Sequence, residues 1–91
     1  RVATQKKKVA LAAEKEGDKA KDVGDCRTAI FHYHDALKAA GSARVYKKLG
    51  YCYKQTSKPN QSRKYYKLYL KALPLNVRAE EESIIKAIMP K

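Results

Sequence analysis

Apolar residues recur along the chain at three- and four-residue spacing, in stretches separated by turn-forming residues. The three clearest stripes are Ala29, Tyr33, Ala36, Leu37 and Ala40, then Tyr46, Leu49, Gly50 and Tyr53, then Tyr66, Tyr69, Leu70 and Leu73. This spacing is typical of amphipathic helices, whose apolar positions return to one face about every 3.6 residues. No stretch shows the two-residue alternation of a half-buried strand. The pattern therefore predicts an all-α protein.

Turn and capping residues divide the chain into five helices, predicted over residues 3–22, 26–40, 43–56, 60–72 and 77–88. Asp25 and Ser42 are suited to cap the second and third helices, because their side-chain oxygens can accept hydrogen bonds from free backbone amides. Pro59 suits the first turn of the fourth helix. Asn76 is the expected cap of the fifth helix, and Pro90 its stop signal.

The sequence also repeats itself at a shift of 33 residues. The shift aligns Gly17 with Gly50 and Tyr33 with Tyr66, and it pairs Ala29 with Ser62. Small residues let two antiparallel helices approach closely, while aromatic residues fill the space between them. The period therefore indicates two similar helical hairpins in succession.

These hairpin units resemble the tetratricopeptide repeat (TPR), whose period is about 34 residues. The first unit, over residues 10–42, contains Gly17, Gly24-Asp25, Ala29, Tyr33 and Ala36-Leu37. The second, over residues 43–75, contains Tyr46, Leu49-Gly50, Tyr53, Ser62, Tyr66 and Pro74. The resemblance implies a single domain over residues 1–91, built as a short right-handed superhelix of antiparallel helices and closed by a capping helix over 77–88. An unrelated five-helix bundle is the alternative.

Proteins of this family are binding scaffolds, so the resemblance implies a protein-interaction module, or adaptor, with a concave groove lined by the first helix of each unit. The groove positions carried over to this chain are Leu11, Glu14, Lys15, Asp18, Lys21 and Asp22, followed by Arg44, Lys47, Lys48, Tyr51, Lys54 and Gln55. Lys47 falls on a position where some relatives clamp a terminal carboxylate. Asp18 and Tyr51 replace the asparagines of that clamp, so the clamp itself is not expected.

The charge is concentrated in the middle of the chain. Residues 36–79 carry eleven Lys and Arg and no Asp or Glu, while the whole chain has a formal net charge of +12. A basic groove should favour an acidic segment or partner surface. Lysines of the second helix in the unit, such as Lys64, Lys67 and Lys71, are more simply interpreted as a solvated surface. The alternative function is nucleic-acid binding by the Lys-, Arg- and Tyr-rich residues 44–71.

Other classes of function find little support in the sequence. There is no phosphate-binding glycine loop and no arrangement of nucleophile, base and acid, so we expect neither an enzyme nor a cofactor. His32 and His34 point to opposite sides of a helix, and the spacing of Cys26 and Cys52 fits no zinc pattern, so no metal is expected. For these two cysteines, reduced thiols are favoured, and a disulfide between them remains the alternative.

Length and composition limit the classes of protein to which the chain can belong. Its composition, with 44% hydrophobic and 33% charged residues, is that of a globular protein, and its longest uncharged run, residues 28–34, is too short to span a membrane. Residues 1–8 lack the apolar centre of a signal peptide. The cellular location of the protein stays open, with the cytoplasm favoured. Since about three repeats usually make a stable stack, we expect a piece of a longer protein, or alternatively a homodimer.

Overall fold

The computed structural model describes the backbone of residues 2–91 and the side chains of residues 4–91. Arg1, part of the basic segment considered above, lies outside the described residues. Five α-helices follow one another, and the described part of the chain contains no strand. The helices are α1 (Val2–Asp22), α2 (Cys26–Ala39), α3 (Ala43–Gln55), α4 (Pro59–Ala72) and α5 (Leu75–Ile88). The all-α prediction is confirmed.

Short connections force successive helices to run antiparallel. The two closest pairs are α1 with α2 and α3 with α4, so the chain forms two helical hairpins, and α2 packs against α3 where the hairpins meet. The last helix, α5, packs on α4. The molecule measures 38 × 32 × 18 Å, so it is flattened along one direction. No described helix is both long and apolar enough to cross a membrane.

The helix boundaries follow local chemistry at most ends. The Asp25 carboxylate accepts a hydrogen bond from the Thr28 backbone amide at 3.2 Å, which confirms it as the cap of α2. Pro59 is the first residue of α4, as predicted. Gly24, with φ of +84°, makes the left-handed turn between α1 and α2.

Two capping predictions need correction. Ser42 does precede α3, but its side chain makes no capping hydrogen bond. Asn76 was expected to cap the last helix and instead lies inside it, because α5 begins at Leu75 with Pro74 as its cap. The Pro74 ring fixes φ near the helical value, and its carbonyl accepts from the amides of Val77 and Arg78 at 3.2 and 3.1 Å. The helix can therefore start without a polar side-chain cap.

The 33-residue repeat in the sequence reappears as two equivalent packing contacts. Gly17 lies so close to the Tyr33 ring that a Cβ atom on the glycine would be 2.5 Å from a ring carbon. A Cβ on Gly50 would be 2.7 Å from the ring of Tyr66. Both tyrosines are almost fully buried. In each hairpin, then, a glycine of the first helix provides the space for an aromatic ring of the second.

The core has two parts, one on each side of the second hairpin. The larger cluster fills the junction of the hairpins and consists of Cys26, Ala29, Tyr33, Ala36, Val45, Leu49 and Cys52. The smaller cluster joins α4 to α5 through Tyr66, Tyr69 and Ile85. Both hairpins and α5 are thus held by buried apolar contacts.

Candidate functional site

The nine side chains expected to bind a partner lie on α1 and α3, and we refer to them together as the α1–α3 face. They are Leu11, Lys15, Asp18, Arg44, Lys47, Lys48, Tyr51, Lys54 and Gln55. On each helix they recur at three- and four-residue spacing, so they share one side of it. Ion pairs from α3 to Glu14 and Asp18 of α1 link the two helices. The structure therefore brings Lys48 next to Asp18, and Glu14 joins both Arg44 and Lys48 to α1.

Glu14 is the central anion of this face, and it is only 6% exposed. The Arg44 guanidinium donates to both of its carboxylate oxygens, at 3.0 and 3.3 Å, and Lys48 Nζ donates to it at 2.5 Å. Hydrogen bonds from Arg44 lower the pKa of Glu14 although burial opposes them, and Lys48 lowers it further. Glu14 therefore stays ionised and holds two of the cations of α3 in place.

Asp18 extends this network towards the core. It accepts from Lys48 Nζ at 3.0 Å and from the Tyr33 hydroxyl at 2.6 Å. Burial raises the pKa of Tyr33, and the Asp18 carboxylate raises it further. Burial alone would lower the pKa of Lys48, but its hydrogen bonds to Glu14 and Asp18 raise it overall. Lys48 thus lies between two carboxylates and remains a cation.

Two further lysines of α3 reach α5. Lys47 Nζ lies 3.6 Å from a Glu81 carboxylate oxygen and 5.4 Å from the centre of the Tyr69 ring. The Tyr69 hydroxyl donates to Glu81 at 2.5 Å, and burial followed by this hydrogen bond raises the pKa of Tyr69 to about 12. Lys54 Nζ donates to the carbonyl of Ile88 at 2.6 Å. The groove that was expected to be basic is therefore partly neutralised, because α1 and α5 supply carboxylates to three of the cations of α3.

A cleft of about 440 Å³ opens at one end of the α1–α3 face, and we name it the Leu11 cleft. Its lining is mostly apolar and consists of Lys7, Ala10, Leu11, Glu14, Arg44 and Val45 with the connection 40–42. Leu11 is 49% exposed, although it is a leucine in the middle of a helix. The cleft combines an open apolar wall with the basic side chains of Lys7 and Arg44.

A second cleft of about 440 Å³, the Cys26 cleft, lies at the opposite end of the hairpins and is mostly polar. It is lined by Lys21, Gly24, Asp25, Cys26, Arg27, Tyr51, Gln55, Thr56 and Ser57. Lys21 Nζ is 5.5 Å from the centre of the Tyr51 ring, so this exposed tyrosine already contacts a cation of the protein itself. Tyr51 and Gln55, two predicted partner-binding residues, therefore lie at the far end of the face from Leu11.

The four cations of α4 lie together on its outer side, and we refer to them as the α4 strip. They are Arg63, Lys64, Lys67 and Lys71, which border a cleft of about 420 Å³ with Asn60 and Leu68. Within residues 4–91, none of the four forms an ion pair with a carboxylate. The unneutralised charge of the molecule thus lies more on α4 than on the α1–α3 face.

Most tyrosines of the basic region are engaged inside the protein. The rings of Tyr53 and Tyr65 stack with their centres 5.5 Å apart, and Tyr46 stacks on Tyr65 at 6.2 Å. His34 packs against the same group, and its Nε2 lies 2.8 Å from the Tyr53 hydroxyl. Burial lowers the pKa of His34, and the charges of nearby lysines lower it further. These rings are therefore not free to stack on an external base.

The two cysteines, which sequence spacing left unassigned, lie side by side in the core. The Sγ atoms of Cys26 and Cys52 are 2.6 Å apart, and both residues are free thiols. The part of the chain with described side chains contains no group of three or more His, Cys, Asp or Glu side chains that could hold a metal ion.

Sequence reasoning missed that Glu14 is buried and that the two cysteines meet. One signal for Glu14 was present: Ala10, Glu14 and Gly17 share the buried side of α1 at helical spacing. An acidic residue on such a stripe requires a cationic partner, and Arg44 and Lys48 were available.

No protein-family model, no curated protein and no solved structure matches the chain.

Proposed function

We propose that this protein is a protein-interaction module of the tetratricopeptide type that binds an acidic segment of a partner along the side lined by α1 and α3. In such an array the first helix of each hairpin faces a concave groove. Helix α5 would take the position of the first helix of a third hairpin and would so extend the groove. The proposal rests on the repeated glycine–tyrosine contacts and on the surface formed by the α1–α3 face.

The observation that carries the proposal is the Leu11 cleft. An apolar cavity flanked by cations suits a segment that carries an apolar side chain next to carboxylates. Leu11 and Ala10 would contact the apolar side chain. Lys7, Arg44 and, one turn further along α1, Lys15 would contact the carboxylates.

The ion pair between Arg44 and Glu14 does not prevent an acidic partner from binding at the Leu11 cleft. Arg44 uses Nε and Nη2 for Glu14, and its side chain is 63% exposed. Its remaining nitrogen, Nη1, can donate to a partner without displacing Glu14. The buried carboxylate therefore orients the guanidinium before binding, which reduces the conformational entropy that binding must remove.

Selection from a library of short random peptides on the immobilised protein tests the proposal. We expect enrichment of Asp and Glu beside one Leu, Ile or Phe. The same selection on the Leu11→Glu variant is the control, because it places a charge in the cleft at an exposed position. Enrichment of basic peptides, or identical enrichment on the variant, would contradict the proposal.

Nucleic-acid binding is the second candidate, and one observation favours it: the α4 strip carries cations without acidic partners. Stacking on Tyr53, Tyr65 and Tyr66 does not add to it, because these rings are packed against the protein. Binding would then be phosphate recognition alone and would weaken steeply with salt. Titration of labelled single-stranded and duplex DNA at two salt concentrations distinguishes this candidate, since charge reversal at Lys67 and Lys71 should abolish it.

A further inference from the structure

Cys26 and Cys52 form a buried pair of which only Cys26 borders a cleft. Cys26 is the first residue of α2, is 7% exposed and lines the Cys26 cleft. Cys52 lies in α3 and is fully buried. Their Sγ atoms are 2.6 Å apart, which is near the length of about 2.05 Å of a disulfide bond.

The cleft over Cys26 is suited to a small anionic molecule. Lys21, Arg27 and Asp25 line it, and Lys21 Nζ lies 3.8 Å from an Asp22 carboxylate oxygen, so Arg27 is the lining cation without an acidic partner among the described side chains. The free backbone amides at the start of α2 also favour negative charge near Cys26. Burial raises the pKa of Cys52, and its hydrogen bond with Cys26 raises it further, so little Cys52 thiolate is present near neutral pH while the protein is folded.

We propose that Cys26 and Cys52 are the attacking and resolving thiols of an intramolecular disulfide, formed by exchange with a low-molecular-weight anionic disulfide such as oxidised glutathione that enters the Cys26 cleft. The Cys26 thiol loses its proton, and the thiolate attacks one sulfur of the oxidant. The sulfur–sulfur bond of the oxidant breaks, one small thiolate leaves and is protonated, and a mixed disulfide remains on Cys26.

The second exchange completes the reaction. The Cys52 thiol loses its proton, and its sulfur attacks the Cys26 sulfur, so the mixed disulfide breaks and the second small thiol leaves. Together the two cysteines lose two protons and two electrons, and the oxidant is recovered as two thiols. The new bond joins α2 to α3 at the end opposite their connection, residues 40–42, and so fixes the two hairpins to each other.

Two single variants of the whole chain separate the roles of the thiols. Each reduced protein is incubated with oxidised glutathione, and its intact mass is followed with time. The Cys52→Ser variant should stop as a stable mixed disulfide on Cys26. The Cys26→Ser variant should react at least about tenfold more slowly, because Cys52 has no access to solvent. The wild type should lose two hydrogens and keep no adduct.

Controls remove the effect of misfolding. Both variants must show the helical circular dichroism of the wild type, and in denaturant the two thiols should react at similar rates. A second measurement needs no variant: oxidised wild type should have an unfolding equilibrium constant smaller by about 10²-fold than the reduced protein, and dithiothreitol should reverse this. Equal rates for the folded variants, a lasting adduct on the wild type or disulfides between chains would overturn the proposal.

Discussion

Replacement of Glu14 by Gln gives a sharp prediction, because it should weaken the fold and strengthen binding at the same time. The change keeps the shape of the side chain and removes its charge. Arg44 and Lys48 then lose their charge-assisted hydrogen bonds to a residue that is only 6% exposed. Removal of one partner of a buried ion pair costs about 3–5 kcal/mol.

The stability lost in Glu14→Gln should be smaller than this value for a buried ion pair. The side chains of Arg44 and Lys48 are 63% and 26% exposed, so both cations can regain water once Glu14 is neutral. We expect a loss of about 2 kcal/mol in the free energy of unfolding. For a domain of this size the midpoint of thermal unfolding would fall by about 10 °C. Chemical and thermal denaturation followed by circular dichroism at pH 7 measures both quantities.

The dependence on pH adds an internal check. Because the pKa of Glu14 is lowered by folding, its contribution is fully present above the pKa of the unfolded chain, about 4.5. The contribution is lost as the pH falls through the lower pKa of the folded protein. The difference in stability between wild type and Glu14→Gln should therefore be constant near pH 7 and shrink in acid.

Glu16→Gln is the matched control. It makes the same charge change on the same helix, but the Glu16 side chain is 55% exposed and, among the described side chains, pairs only with the exposed Lys19. Its effect should stay within about 0.5 kcal/mol. For binding, Glu14→Gln should tighten the complex with an acidic peptide, because Arg44 and Lys48 lose their internal anion while the amide oxygen that replaces the carboxylate can still accept from Arg44 and keep it oriented. Equal stabilities of the two variants would refute the role assigned to Glu14.

The remaining predictions concern the packing of the first hairpin and the half-buried His34. Gly17→Ala should lower the free energy of unfolding by about 1–2 kcal/mol despite the better helix propensity of alanine, because the Tyr33 ring must move. Gly41→Ala is the control, because a Cβ at Gly41 meets nothing within 4 Å. If denaturant titrations show that Gly17→Ala is more stable than the wild type, the close contact between Gly17 and Tyr33 is excluded. The wild type should lose stability as the pH falls below about 6.5, because folding lowers the pKa of His34. Between pH 7.5 and 5.5 the free energy of unfolding should fall less for His34→Gln than for the wild type. Equal falls for the two proteins would contradict the partial burial of a neutral His34 ring.

Local patterns were sufficient to predict the helices and the repeat. Apolar spacing and turn residues located all five helices to within about two residues, and the 33-residue shift aligned Gly17 with Gly50 and Tyr33 with Tyr66, the residues that form the two equivalent contacts in the structure. These features depend on residues close in sequence or on a period that the sequence itself displays. Asn76 was misplaced because a fixed proline can start a helix without a side-chain cap.

The electrostatics of the site could not be predicted in the same way. Glu14 and Arg44 are thirty residues apart, and Lys47 meets Glu81 across thirty-four, so their pairing depends on how the helices pack. Counting charges along the chain indicated a basic centre but could not show which cations are neutralised. The contact between Cys26 and Cys52 has the same origin, because it forms where the two hairpins meet.

The most direct test of the account compares one charge reversal on two faces of the protein. The double variant Lys7→Glu with Lys15→Glu changes the side with the Leu11 cleft, and Lys67→Glu with Lys71→Glu makes an identical change in net charge on the α4 strip. All four lysines are exposed, so both variants should fold. Binding of a fluorescent Glu- and Leu-containing peptide is measured by anisotropy at 0.15 M salt, where charges more than about 8 Å apart are largely screened.

The account predicts at least about tenfold weaker binding for the first variant and less than about threefold change for the second. Weaker binding of the second variant alone would contradict it and would identify the α4 strip as the functional surface.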